Sequence, residues 1–116
     1  MRPDNAHALA LGSCDLAVLG ENDRAKGWAM RSLIIDPDDL TNRYNIACTM
    51  AMMNELGDAL DLLEAYAREM PPSRINRIKL DTSLVPLHGH QRYKALIARA
   101  EARWAAVQSD QVAKPT

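Results

Sequence analysis

Residues 8–39 read ALALGSCDLAVLGENDRAKGWAMRSLIIDPDD, and this run decides the fold. Leu9, Leu16 and Leu19 recur at helical spacing up to Gly20, where a left-handed residue ends a helix without a Cβ penalty. Asp4 or Asn5 is placed to cap this first helix, which is expected to run to about Leu19. A second helix follows, with Asn22 and Asp23 as candidate caps and Ala25, Trp28, Ala29 and Ser32 along one face. It stops at Ile35, because the residue before Pro37 is pushed out of helical geometry.

The pattern then repeats. Asp38 and Asp39 bring negative charge to the start of a third helix, where the helix dipole favours it. That helix carries Tyr44, Ala47, Met50, Ala51 and Met53 to a break at Asn54, the next-best residue after glycine for a left-handed helix end. A fourth helix runs from about Glu55 to Met70, with Ala59, Leu60, Leu63 and Tyr66 as its buried side, and Pro71-Pro72 ends it. The two hairpins superpose at an offset of 34 residues: Ser13 on Ala47, Cys14 on Cys48, Leu16 on Met50, Gly20 on Asn54 and Ala25 on Ala59. Small residues at Ser13, Ala25, Ala47 and Ala59 allow the paired helices to approach closely.

Composition agrees with an all-α chain. Of 116 residues 18 are Ala and none is Phe, while Val, Ile and Thr together number only 14, too few for a sheet protein. The length fits one domain. Fourteen Lys and Arg against 15 Asp and Glu leave a net charge of −1, which argues against nucleic acid or an anionic membrane as partner. No apolar run approaches the roughly 18 residues that a membrane span needs, and MRPDNAHAL lacks the features of a signal peptide. Two cysteines and six methionines suit a reducing cytoplasm.

A 34-residue helix–turn–helix period is the signature of tetratricopeptide repeats, and the first unit resembles that family over its whole length. Leu9, Ser13, Leu16, Gly20, Ala25, Ala29 and Pro37 stand where the family places its signature residues. The second unit is similar but drifts: Arg43 replaces an aromatic, and Tyr66 replaces a small residue. Gly12 also departs, since the family usually has a larger apolar residue there. Residues 80–104, LDTSLVPLHGHQRYKALIARAEARW, resemble a variant ending of bacterial repeat arrays through Asp81, Leu84, Leu87, Arg92, Tyr93 and Leu96. Together with YNIACTMAMMNELGDALDLLEAY (44–66), this run is similar to the arrays that follow class III adenylate or guanylate cyclase domains, and such arrays also occur behind kinases and transcriptional regulators. The resemblance implies an α-α superhelix with repeat one at 6–39, repeat two at 40–73 and a capping element at 74–108, one domain over 1–108. The polar tail 109–116 is expected to be frayed.

Leu84, Leu87, Tyr93, Leu96, Ile97 and Trp104 are the expected cover for the last repeat, with Arg99, Glu101 and Arg103 on its wet side. Nothing precedes the first helix to cover its open side, so the expectation is the C-terminal piece of a longer signalling protein, with a homodimer through that helix or a free-standing small adaptor as alternatives.

The register implied by the resemblance projects a groove for a protein or peptide partner. His7, Ala10, Cys14, Ala17 and Val18 would line it from the first helix. Thr41, Tyr44, Cys48, Ala51 and Met52 would line it from the third. Met52 is the flexible thioether there, while Met50 and Met53 face the core. Family members that clamp a terminal carboxylate use Lys, Arg and Asn, and this chain has Ala10, Cys14, Tyr44 and Cys48 instead.

Catalysis, cofactor binding and metal binding find little in the sequence. Cys14 and Cys48 occupy equivalent positions on helices expected roughly 9–10 Å apart, too far for a disulfide. His88-Gly89-His90 supplies half a tetrahedral metal site and reads better as a turn before the last helix. A metal or redox protein built on Cys14, Cys48, His88 and His90 is the remote alternative. The Asp36, Asp38, Asp39 run lacks the remaining ligands of a calcium loop and reads as a helix stop followed by a helix start.

Overall fold

A computed structural model describes residues 5–113, with side chains through Asp110. The chain is all-α, with no strand among the described residues. Four helices form two hairpins: α1 (Ala6–Val18) with α2 (Asn22–Ile35), and α3 (Leu40–Met52) with α4 (Leu56–Glu69). A 3-10 turn at Pro72–Arg74 leads into the short α5 (Ile75–Leu80), a 3-10 segment spans Thr82–Leu87, and α6 runs from Gln91 to Ala113. Among the described residues no helix is long and apolar enough to cross a membrane.

The period is kept at every helix boundary: Ala6 to Leu40, Val18 to Met52, Asn22 to Leu56 and Ile35 to Glu69 are each 34 residues apart. Its cause is chemistry repeated at the ends. Asn5 accepts from the Ala8 amide at 3.1 Å, and Asp39 accepts from the Asn42 amide at 2.8 Å, so each hairpin opens on a side-chain cap. Asp4 lies outside the described residues. Each first helix ends on a left-handed residue, Gly20 at φ +80° and Asn54 at φ +62°. The Glu21 amide reaches back to the Leu16 carbonyl at 2.9 Å, and the Glu55 amide to Met50 at 2.8 Å. This is the Schellman closure in both turns. The caps expected at Asn22 and Asp23 are not formed: α2 already includes both, and neither Glu21 nor its counterpart Glu55 makes a side-chain cap bond. The Schellman turn delivers the chain directly into the next helix instead.

Ser13, Ala25, Ala47 and Ala59 are fully buried at the helix crossings. Buried hydroxyls find partners there: Ser13 donates to the Ala10 carbonyl at 2.7 Å, and Ser32 donates to that of Ala6 at 2.7 Å. Between α1 and α3 runs a polar seam, with Ser13 and Thr49 hydroxyls 2.9 Å apart and the Cys14 thiol 3.2 Å from the Asn45 carbonyl.

The departures from the repeat pattern have local explanations. A Cβ on Gly12 would collide with the Trp28 ring, so the glycine vacates the space that the indole fills. Arg43, in an aromatic's place, ties the link between hairpins by bonding the Pro37 carbonyl at 2.7 Å, Asp38 at 3.2 Å and Glu69 at 3.3 Å. Tyr66 packs its ring 4.9 Å from that of Tyr44.

The capping element buries Leu84, Leu87, Tyr93 and Leu96, with Ile97 and Trp104 packed at the margin, and adds Ile75 and Ile78. Arg103 lies less free than expected, because its guanidinium donates to the Ala67 carbonyl at 2.6 Å and to Met70 at 3.3 Å. The helix α6 continues past the expected boundary at 108 to Ala113. The molecule measures 55 × 30 × 18 Å, with a radius of gyration of 15.6 Å against about 13 Å for a rounded domain of this length.

A glycine-to-alanine change inside a helix ordinarily stabilises by up to about 1 kcal/mol. Gly27, with open space around it, is expected to follow that rule. Gly12→Ala is expected to reverse the sign and cost about 1–3 kcal/mol by overpacking against Trp28. Urea unfolding of the two single variants checks the contrast, and Trp28→Ala in the Gly12→Ala background should make the losses less than additive.

Candidate interaction surfaces

The ten residues projected onto a groove separate into three environments. Ala10, Tyr44, Cys48 and Ala51 are buried, between 0% and 6% exposed. Cys14, Ala17 and Met52 are half-buried, whereas His7, Val18 and Thr41 face solvent. The expectation of an open wall is therefore revised for the four buried positions. On its α3 side the chain itself covers that wall: Leu84 and Leu87 of the 3-10 segment are fully buried and belong to the same apolar cluster as Tyr44 and Cys48. A smooth wall of small and aromatic side chains is a favourable seat for leucines, and occupying it removes apolar surface from water.

Asp81 locks this seat. Its Oδ2 accepts from the Tyr44 hydroxyl at 2.6 Å and from the Cys48 thiol at 3.6 Å, while Oδ1 accepts from the Ser83 amide at 2.9 Å. Arg77 lies over the Tyr44 ring, 5.2 Å from its centroid. Desolvation raises the Asp81 pKa, but hydrogen bonds from Tyr44, Ser83 and Cys48 outweigh it and leave the carboxyl below its ordinary value. Burial, then the Asp81 hydrogen bond, pushes the Tyr44 phenol up. Burial, then the Asp81 charge, does the same to the Cys48 thiol. Cys14 is likewise raised, by burial first and against the hydrogen bond to Thr49. Both cysteines are held as neutral thiols, and thiol nucleophiles and metal ligands act as thiolates.

The four residues of the metal or redox alternative have separate environments. The Cys14 thiol sits in the α1–α3 seam, and that of Cys48 faces Asp81. The His88 ring stacks on Tyr93, with centroids 5.0 Å apart, and His90 Nδ1 accepts from the Arg92 amide at 3.1 Å at the start of α6. Among the described residues no three His, Cys, Asp or Glu side chains gather as a metal site would require. Of the acidic run, Asp39 caps α3 and Asp38 pairs with Arg43. His7 Nδ1 lies 3.2 Å from Asn42 Oδ1, linking the first turns of α1 and α3.

Two open surfaces stand out. The first is the set of exposed apolar side chains of the first hairpin: Leu11, Val18 and Leu19 on α1 and its turn, and Met30, Ile34 and Ile35 on α2, are 45–79% exposed. Large exposed apolar side chains elsewhere in the described chain are Leu80 and Val85. The equivalent positions of the second hairpin hold Asn45, Met52, Met53, Glu64, Arg68 and Glu69: apolar methionines at the turn, polar or charged groups at the other four. Of the six exposed residues only Val18 belongs to the projected groove.

The second surface is a cleft of about 420 Å3 between α4 and α6. Buried Ala67, Leu96 and Ala100 form its floor, and Arg68, Arg99 and Arg103 stand at its rim. Its one acid, Glu64, is engaged by Arg92 at 2.7 and 3.2 Å, a pairing that lowers the Glu64 pKa. Sequence reading placed Arg99 and Arg103 on a solvated face and missed the concavity, which depends on how α6 crosses α4.

Comparison with protein-family models, with curated proteins and with solved structures returned no match. The surfaces therefore have to be interpreted from their own chemistry.

Asp81→Asn is expected to destabilise the fold by about 1–3 kcal/mol at neutral pH, the range for a hydrogen bond to a charged group. Because folding lowers the Asp81 pKa, the ionised carboxylate favours the native state above the unfolded value of about 3.9, and that advantage disappears as pH falls through the lower folded value. Thermal unfolding followed from pH 7 down to strongly acidic conditions should show the gap between wild type and Asp81→Asn closing at the acid end.

Proposed function

We propose that this chain is a protein–protein interaction module of the tetratricopeptide type, an α-α superhelical stack whose partner surface is the apolar face of the first hairpin. The observation that carries this reading is the difference between repeats: six large apolar side chains lie open on α1, α2 and their turn, where the second hairpin presents mainly polar groups. Monomeric proteins rarely leave such patches open without an interaction use. A partner offering an apolar helix or extended segment fits the chemistry. The preferred setting is the regulatory or scaffolding region of a larger bacterial signalling protein of the nucleotide-cyclase kind, in the cytoplasm, with the chemistry performed outside these 116 residues. Cys14, half-buried, and Cys48, buried, both held as neutral thiols, are compatible with a reducing compartment. A homodimer formed through α1 is the second reading, favoured by the exposure of Leu11 and Val18 on that helix.

Val18→Glu and Ile34→Glu, 73% and 79% exposed in the wild type, should leave the helical circular dichroism spectrum and the melting temperature nearly unchanged. In affinity capture from source cells, the wild-type domain should retain a defined set of proteins that the double variant loses. Retention of the same set by both would exclude this face, and retention of nothing by either would sink the heterotypic reading.

A further inference from the structure

The two open surfaces are complementary to each other. The tip of the first hairpin projects Val18 and Leu19, 73% and 71% exposed. Around them stand Asp15, Glu21 and Asp23, all exposed. Glu21 is neutralised by Arg24 at 3.0 Å, whereas Asp15 and Asp23 have no ion-pair partner among the described residues. The tip is thus a convex apolar knob with unbalanced negative charge.

The cleft between α4 and α6 has the opposite form in both respects. Its floor of Ala67, Leu96 and Ala100 is apolar and concave. Arg68 and Arg99 have no hydrogen-bond or ion-pair partner among the described residues. Arg103 is fixed in place by its bonds to the carbonyl of Ala67 in α4 and to that of Met70 just beyond it. Its volume, about 420 Å3, lies within the range of roughly 300–1,000 Å3 typical of sites that bury a ligand. Guanidinium groups at a rim suit carboxylates, which they bind with two parallel hydrogen bonds.

We infer that a second copy of this chain is the occupant of the cleft: the Val18–Leu19 tip of one molecule seats on Ala67, Leu96 and Ala100 of another, with Asp15 and Asp23 of the tip opposite Arg68 and Arg99. Such a contact joins two different patches, so it is heterologous and propagates head to tail rather than closing as a two-fold dimer. The inference rests on the interaction-module reading and divides its apolar surface: the Val18–Leu19 end takes a second copy of the chain, and Met30 and Ile34 of α2 stay free for a different partner.

A charge swap on the intact chain tests it. Sedimentation velocity over a concentration series should show the wild type growing beyond a monomer, less so in high salt, where exposed charges are screened. Asp15→Lys with Asp23→Lys reverses the tip, and Arg68→Glu with Arg99→Glu reverses the cleft; circular dichroism first confirms that both pairs are folded. Each pair alone is expected to weaken self-association at least ten-fold. Mixed in equal amounts, the two should associate again, because the positive tip of one variant now faces the negative cleft of the other. A wild type that stays monomeric to millimolar concentration, variants that associate as the wild type does, or a mixture that fails to recover would each overturn the inference. A monomeric wild type leaves the heterotypic reading intact, since the affinity capture above tests that reading with different substitutions.

Discussion

One carboxylate decides which surfaces of this protein are available. Asp81 receives the Tyr44 hydroxyl and the Cys48 thiol, and it holds the Ser83 amide that starts the 3-10 segment. The segment so anchored lays Leu84 and Leu87 against α3. Without that anchor, the seam beside Tyr44 would be an apolar trough open to solvent. A buried phenol without an acceptor is costly, roughly 1–3 kcal/mol, and so is an uncovered leucine pair; the carboxylate resolves both at once. The consequence is direct, because the side of α3 that carries Tyr44 and Cys48 is already occupied from within.

The hairpins were legible in the sequence because each boundary depends on local chemistry. Asn5 and Asp39 cap, Gly20 and Asn54 turn left-handed, and Pro37 and Pro71 stop, each acting within a few residues of its own position. Those signals recur 34 residues apart, and so do the helices. The expected caps at Asn22 and Asp23 failed for an equally local reason. A Schellman turn uses the amides following Gly20 and Asn54, which leaves no free residue for a side-chain cap before the next helix begins.

What sequence alone left hidden lies between segments distant along the chain. Gly12 looked like an error in the repeat until Trp28 was found in the space it leaves. Arg43 looked like a lost aromatic, but its guanidinium joins the Pro37 carbonyl, Asp38 and Glu69, a clamp that an aromatic could not make. Of the ten expected groove residues four are interior, and those on α3 lie under the third segment as it folds back, a return that no periodicity in α3 encodes. The arginine-rimmed cleft was hidden for the same reason. Arg68 lies on α4 and Arg99 on α6, and they share a rim only because of the angle at which those helices meet.

The repeats are alike where they pack and unlike where they face solvent. Ser13 and Ala47, or Ala25 and Ala59, are interchangeable in size because two helices must cross there. Ile34 and Arg68 share a repeat position yet differ completely in chemistry, as do Met30 and Glu64. The structure gives the second hairpin's polar residues employment: Glu64 binds Arg92 and Glu69 binds Arg43, so its outer positions are committed to the capping element and the inter-hairpin link. The outer positions of the first hairpin carry isoleucine, methionine, leucine and valine instead. Folding alone gives no reason to keep those side chains at 45–79% exposure, since polar replacements there would cost the core nothing. The proposed interaction role accounts for their placement, and the contrast between two otherwise equivalent repeats is the observation on which that proposal rests.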